Sequence, residues 1–131
     1  MSLFKMILTL FMSLCVTTCF SQEDVKDKCS MFKSGKFRYL DAEDPTAYIV
    51  MNGNKQIEYS EKNEYTIESD IGWISDCSYI MTMTKITIPN FPFQPGDTMK
   101  VDITKIKGNI IYYTATVKGR SWNGRFKKLD K

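Results

Sequence analysis

Alternating hydrophobic and polar residues recur along the chain after Gly35. In the clearest run, 64–74, four apolar residues share one face: Tyr65, Ile67, Ile71 and Trp73. This two-residue period is typical of a half-buried β-strand. The same reasoning predicts seven further strands, at 36–40, 47–51, 55–60, 77–88, 98–107, 110–118 and 121–129.

Short turn sequences separate these runs. Asn52-Gly53 predicts a two-residue type I′ hairpin, because both residues tolerate positive φ. Lys62-Asn63 predicts a second tight turn, and a phase slip at Lys105-Ile106 indicates a β-bulge. With no helical crossover, sequential strands are antiparallel neighbours. The pattern therefore predicts an all-β, eight-stranded, up-and-down meander that closes into a barrel; the alternative is a two-sheet sandwich.

The first residues have the order of a secretory signal peptide. One cation, Lys5, precedes an apolar run from Met6 to Val16, and Cys19-Phe20-Ser21 ends in small residues before a cut. The run is shorter than a transmembrane anchor requires. We expect residues 1–21 to be removed, leaving one exported domain, 22–131, periplasmic or extracellular and without a transmembrane segment. Lipidation at Cys19 is the alternative.

Cys29 and Cys77 are the two cysteines of this mature domain. Exported domains with two cysteines usually pair them, so a disulfide is predicted. The chain has no histidine, which disfavours a metal site or a cysteine nucleophile. No metal or other cofactor is expected.

Composition favours a binding or structural protein over an enzyme. The chain has 18 basic and 15 acidic residues, and glycines occur singly at turns rather than in a phosphate-binding loop. Glu58 and Asp70 are a candidate carboxylate pair, but polar faces of neighbouring strands bring carboxylates together by chance. Basic and aromatic residues interleave near the C-terminus, yet export disfavours a nucleic-acid partner.

The segment Gly35-Lys36-Phe37, which follows a short capping stretch, resembles the Gly-x-Trp motif of lipocalins, with Phe37 in place of Trp. Together with Trp73–Tyr79 and the pair Gln56/Glu58, it is similar to small exported lipocalin-like, calycin-type proteins of Gram-negative bacteria, mostly uncharacterised. The resemblance implies a barrel closed by the N-terminal cap and by an aromatic ring at Phe37. It also implies a basic residue over that ring, Arg120 or Arg125.

The barrel would then be open at the end opposite the cap, where the connections at 41–45, 61–63, 89–97 and 119–120 fall. We expect Tyr39, Phe91 and Phe93 at this mouth to contact a small apolar or amphipathic ligand. The expected interior residues are Phe37, Tyr65, Ile67, Ile71, Trp73, Ile111, Tyr113, Trp122 and Phe126. The alternative function is an envelope structural or protein-interaction module whose core side chains leave no room for a ligand. The sequence does not determine the oligomeric state.

Overall fold

A computed structural model describes residues 28–60 and 62–129 as a 3₁₀ helix followed by eight strands. The predictions for the signal peptide and for Cys19 lie outside the described residues. The 3₁₀ helix, here called the cap helix, is Cys29–Phe32. The strands are β1 Ser34–Tyr39, β2 Tyr48–Asn52, β3 Lys55–Ser60, β4 Tyr65–Ser75, β5 Ser78–Ile86, β6 Thr98–Lys107, β7 Ile110–Val117 and β8 Arg120–Lys128.

The strands form one closed antiparallel barrel. Each strand pairs with the next in sequence, and β1 closes the sheet by pairing with β8, where Phe37 lies opposite Lys128. The predicted eight-stranded meander is therefore confirmed and the two-sheet sandwich is wrong. Closure satisfies the hydrogen-bonding groups that an open meander would expose at its edges.

A bulge sits close to its predicted place. The β6–β7 register shifts between Ile103 and Lys105, one residue before the predicted slip at Lys105-Ile106. The β4–β5 pair has further shifts, at Glu68/Ser69 and at Trp73/Ser75. Bulges of this kind increase the local bend of the strands, as closing a barrel requires.

The turns differ from expectation at one point. Type I′ geometry needs positive φ at both central residues, but at Asn52-Gly53 the structure has it at Gly53 alone, with φ of 84°. The signature appears instead at Lys62 and Asn63, with φ of 57° and 71°. At the first turn the Asn52 side chain accepts a hydrogen bond from the Lys55 backbone at 3.1 Å, so it stabilises a wider loop.

Strand β3 directs its polar residues into the barrel. Met51 lies directly opposite Gln56, and Ile49 lies opposite Glu58. Directly opposed residues share a face of the sheet, and Ile49 and Met51 are buried in the core. Gln56 and Glu58 therefore face the interior, and the apolar Ile57 between them faces outward.

The cap helix closes one end of the barrel. Cys29 and Phe32 are completely buried, and the predicted disulfide between Cys29 and Cys77 is confirmed, with Cα atoms 5.3 Å apart. The Trp73 indole donates a hydrogen bond to the Gly53 carbonyl at 2.8 Å. The cap is thus joined by a covalent bond to the β4–β5 turn, and that turn contacts the β2–β3 turn.

Lys128 provides the cation over Phe37, so the expectation of Arg120 or Arg125 is wrong. The Lys128 Nζ lies 5.6 Å from the Phe37 ring centre and donates hydrogen bonds to the carbonyls of Met31 (2.8 Å) and Ser34 (3.2 Å). Because side chains alternate along β8, Lys128, two residues after the inward-facing Phe126, lies on the same face of the strand. Arg125, one residue before Phe126, has the outward phase.

Candidate functional site

The side chains inside the barrel leave a cavity of about 350 Å³. This volume lies within the range of about 300 to 1,000 Å³ that small-molecule sites usually occupy. Its walls are mainly apolar and include the following residues from β4 to β8: Ile67, Met81, Met83, Met99, Val101, Ala115 and Phe126. Flexible methionine side chains let such a wall adapt to differently shaped ligands.

The cavity opens at the end opposite the cap helix. Asp41 and Ala42, from the β1–β2 connection, and Trp122 and Asn123, near the start of β8, form part of its lining. An ion pair of 3.5 Å between Lys118 Nζ and Asp97 Oδ2 joins two connections at this end. The mouth therefore lies among the connections predicted to surround it.

All three predicted ligand-contact residues lie along this cavity. Tyr39 is at the end of β1, and Phe91 and Phe93 are in the long connection between β5 and β6. The two phenylalanine rings meet edge to face, with centres 5.6 Å apart. Both rings are half-buried and pack against the core, so they form part of the cavity wall near its mouth.

The expected interior residues divide into three groups. Six are buried: Phe37, Ile67, Ile71, Ile111, Tyr113 and Phe126. Tyr65 and Trp73 are half-buried, near opposite ends of β4. Trp122 lines the cavity but is 41% exposed. It shares the inward phase of Phe126, but it lies beyond the packed core, at the mouth.

A polar pair lies within the apolar walls. The Tyr39 hydroxyl donates a hydrogen bond of 3.1 Å to Oε2 of Glu58. Burial raises the pKa of Glu58 above its usual value, while the bond from Tyr39 opposes that rise. Burial also raises the pKa of Tyr39, and the nearby Glu58 charge adds to the effect. Tyr39 is therefore neutral, and the cavity contains one carboxyl group held by one hydroxyl donor.

Two further polar groups lie beside this pair. Gln56 and Ser69 are directly opposite each other on β3 and β4 and are 4% and 3% exposed. Within the described part of the chain, neither Gln56 Oε1 nor Ser69 Oγ has a hydrogen-bond partner. Buried polar atoms without partners cost free energy. Sequence reasoning missed this cluster. The signal in the sequence is the alternation of Gln56 and Glu58 with Ile57, but only the pairing of β3 with its neighbours shows which of these residues face the interior.

Glu58 and Asp70, the candidate carboxylate pair, lie on opposite faces of the sheet. Glu58 lies opposite Ile67 and faces the cavity. Asp70 lies on the outer face opposite Lys55, with its carboxylate 4.0 Å from the Lys55 ammonium. The barrel wall separates the two carboxyl groups, so they do not form a common acid–base site.

A close contact shapes one side of the cavity. The Tyr113 ring lies directly against Gly124 of the neighbouring strand, so that a Cβ atom at this glycine would overlap the phenol. The same ring stacks on Phe126, with centres 4.3 Å apart. Burial raises the pKa of Tyr113 to about 12. Gly124 therefore lets the Tyr113 ring lie flat against β8.

Residues 28–60 and 62–129 hold no group of three or more acidic, cysteine or histidine side chains placed to share a metal ion. No helix in this part of the chain has the length and apolar character needed to cross a bilayer. A second hollow of about 450 Å³, at the closed end beside Trp73 and Cys77, is more open than the barrel cavity and has a smaller apolar share in its walls.

Comparison of the chain with protein-family models, with curated proteins and with solved structures gives no match.

Proposed function

We propose that this protein binds a small amphipathic molecule inside its barrel and catalyses no reaction. The observation that carries the proposal is the cavity of about 350 Å³, which has apolar walls and a few polar groups at Tyr39, Gln56 and Glu58. Apolar walls with a small number of placed polar groups are the usual composition of a ligand site. A structural module has no need of such a volume, because unfilled core space costs stability.

Export fits this proposal. A disulfide such as Cys29–Cys77 persists in oxidising compartments, which supports a periplasmic or extracellular location for the domain. We include the likeness to small exported lipocalin-like proteins in the proposal, supported by the closed eight-stranded barrel and by the cap against Phe37. A carrier or scavenger of small molecules is the role that this combination supports.

The proposal is tested by titrating the purified, disulfide-bonded protein with decan-1-ol in a calorimeter. Replacing Phe91 and Phe93 together by Ser should weaken binding about 10-fold, since each ring contributes apolar contact area to a ligand at the mouth. The matched control replaces Val50 and Ile80 by Ser. These residues are 36% and 40% exposed and lie outside the linings of both hollows, so this variant should bind like the wild type.

Two results would contradict the proposal. One is the absence of saturable binding by the wild type. The other is equal binding by both double variants, which would show that the alcohol binds elsewhere. Native mass spectrometry of protein isolated from its own source provides an independent test, and a co-purified small molecule would support a ligand-binding role.

A further inference from the structure

The polar groups of the cavity call for a ligand that donates hydrogen bonds. When it is ionised, the Glu58 carboxylate accepts hydrogen bonds and donates none. The adjoining Gln56 is 4% exposed, and within the described residues its carbonyl oxygen has no partner. The single hydroxyl hydrogen of Tyr39 is already donated in a hydrogen bond to Glu58. A ligand with N–H groups would donate hydrogen bonds to the Glu58 carboxylate and to the Gln56 carbonyl oxygen.

The charges of the cavity favour a cation over an anion. Among the described residues that line it, none is Lys or Arg. Two cations near the mouth are already paired: Arg125 with Asp41 through hydrogen bonds of 2.7 and 3.2 Å, and Lys118 with Asp97 at 3.5 Å. A carboxylate or phosphate ligand would therefore face Glu58 without a countercharge, and burying it there would be costly.

Aromatic rings line the same cavity. Phe126 packs against Tyr39 and Tyr113, with ring centres 4.9 and 4.3 Å away, and all three line the cavity. The faces of such rings attract cations, most strongly where water is excluded. Aromatic rings beside a partly buried carboxylate provide both attractions that an ammonium group uses.

We propose that the barrel binds amphipathic amines, with the ammonium nitrogen at Glu58 and the apolar body against the methionines and phenylalanines that line the same cavity. This inference rests on the proposed function and specifies its ligand class. A cavity of about 350 Å³ has room for about a dozen water-sized groups. The ligand is accordingly a single amine on an apolar chain or ring system of about that many non-hydrogen atoms.

Glu58 also makes the interaction dependent on pH. The other titratable residues along the cavity come from β1, the β1–β2 connection, β5 and β7: Tyr39, Asp41, Tyr79 and Tyr113. Burial raises the pKa values of the three tyrosines, which stay neutral, and the hydrogen bond from Arg125 lowers the pKa of Asp41, which stays ionised. The pKa of Glu58 is raised, so amine binding should weaken as pH falls through that value.

The test compares three ligands with the same tail: decylamine, decan-1-ol and decanoate. Calorimetric titration of the disulfide-bonded protein at pH 7 should give about 10-fold or greater preference for the amine over the alcohol, as expected for a charge-assisted hydrogen bond. Decanoate should bind more weakly than either. In Glu58→Gln the ratio of amine to alcohol affinity should fall to near one.

Glu68→Gln is the matched control. It makes the same chemical change on the adjacent strand, where Glu68 lies opposite the outward-facing Ile57, so it should keep the amine preference. Binding of decan-1-ol without a preference for decylamine would overturn this inference and leave the ligand-binding function standing. A preference that survives in Glu58→Gln would also overturn it. If none of the three ligands binds, both proposals fail.

Discussion

Tyr39 and Glu58 are 19 residues apart in the chain, and the Tyr39 hydroxyl lies 3.1 Å from the Glu58 carboxylate inside the barrel. Strands β1 and β3 are not neighbours, because β2 lies between them. The bond therefore crosses the barrel interior above β2. It holds the Glu58 carboxyl group against Tyr39 on the cavity wall.

Tyr39→Phe should raise the pKa of Glu58, because the bond from the hydroxyl favours the ionised carboxylate. We also expect a loss of about 1 kcal/mol in unfolding free energy at pH values where Glu58 is ionised. Carboxyl carbon chemical shifts across a pH titration measure the first effect, and urea unfolding measures the second. An unchanged or lower pKa would show that the bond does not form in solution.

Glu58→Gln should stabilise the fold relative to the wild type at neutral pH, and this advantage should shrink in acid. The folded-state pKa of Glu58 is raised, so the folded protein binds more protons than the unfolded chain between the two pKa values. The contribution of Glu58 to stability is thus fully present below its unfolded pKa and is lost as pH rises through its folded pKa. Urea unfolding at pH 4 and pH 7, with Glu68→Gln as control, measures this dependence. An equal difference at both pH values would be inconsistent with a raised pKa.

Replacing Cys29 and Cys77 by Ala should destabilise the domain by roughly 4 kcal/mol in the chain-entropy treatment. The disulfide closes a loop between residues 48 positions apart, so its removal gives the unfolded chain much more freedom. Urea unfolding of the double variant, compared with the wild type with and without reductant, gives the value. A variant as stable as the oxidised wild type would show that packing of the cap helix alone closes the barrel.

Gly124→Ala should destabilise the fold by about 1–3 kcal/mol, the usual cost of overpacking. The new methyl group would push the Tyr113 ring toward the cavity, so decan-1-ol should also bind more weakly. Gly72→Ala is the control, because its nearest contact would be the Ile80 carbonyl oxygen at 4.0 Å. Thermal unfolding and calorimetry should distinguish the two variants, and similar behaviour would mean that Tyr113 moves aside without cost.

The strands could be predicted because alternation is a local pattern, and the disulfide could be predicted from the number of cysteines. Alternation marked β4 and β7, and two cysteines in a chain with export signals indicated a pair. The interior face of β3 could not be obtained in this way, since hydrophobicity favours Ile57 inside and Gln56 and Glu58 outside. Pairing with β2 and β4 determines the register, and a shift of one residue would reverse every side chain. Departures from local preference of this kind tend to occur at functional sites.

Lys128 and Trp122 show two further limits of sequence reasoning. The position of Lys128 over Phe37 depends on the pairing of β1 with β8, which joins the first and last strands of the barrel. The exposure of Trp122 depends on how far β8 extends beyond the packed core. Its alternation with Phe126 gives the correct face of the strand but not its height along the barrel axis.

The closed end of the barrel determines how molecules would exchange. Among the described residues, the cap helix and the disulfide block one end, so a ligand of the proposed kind would enter and leave at the mouth, beside Phe91 and Phe93. A second molecule would then have no way to enter behind the first and push it out. Exchange would be sequential, and the rate of replacement would be set by departure of the occupant, whatever the concentration of its competitor.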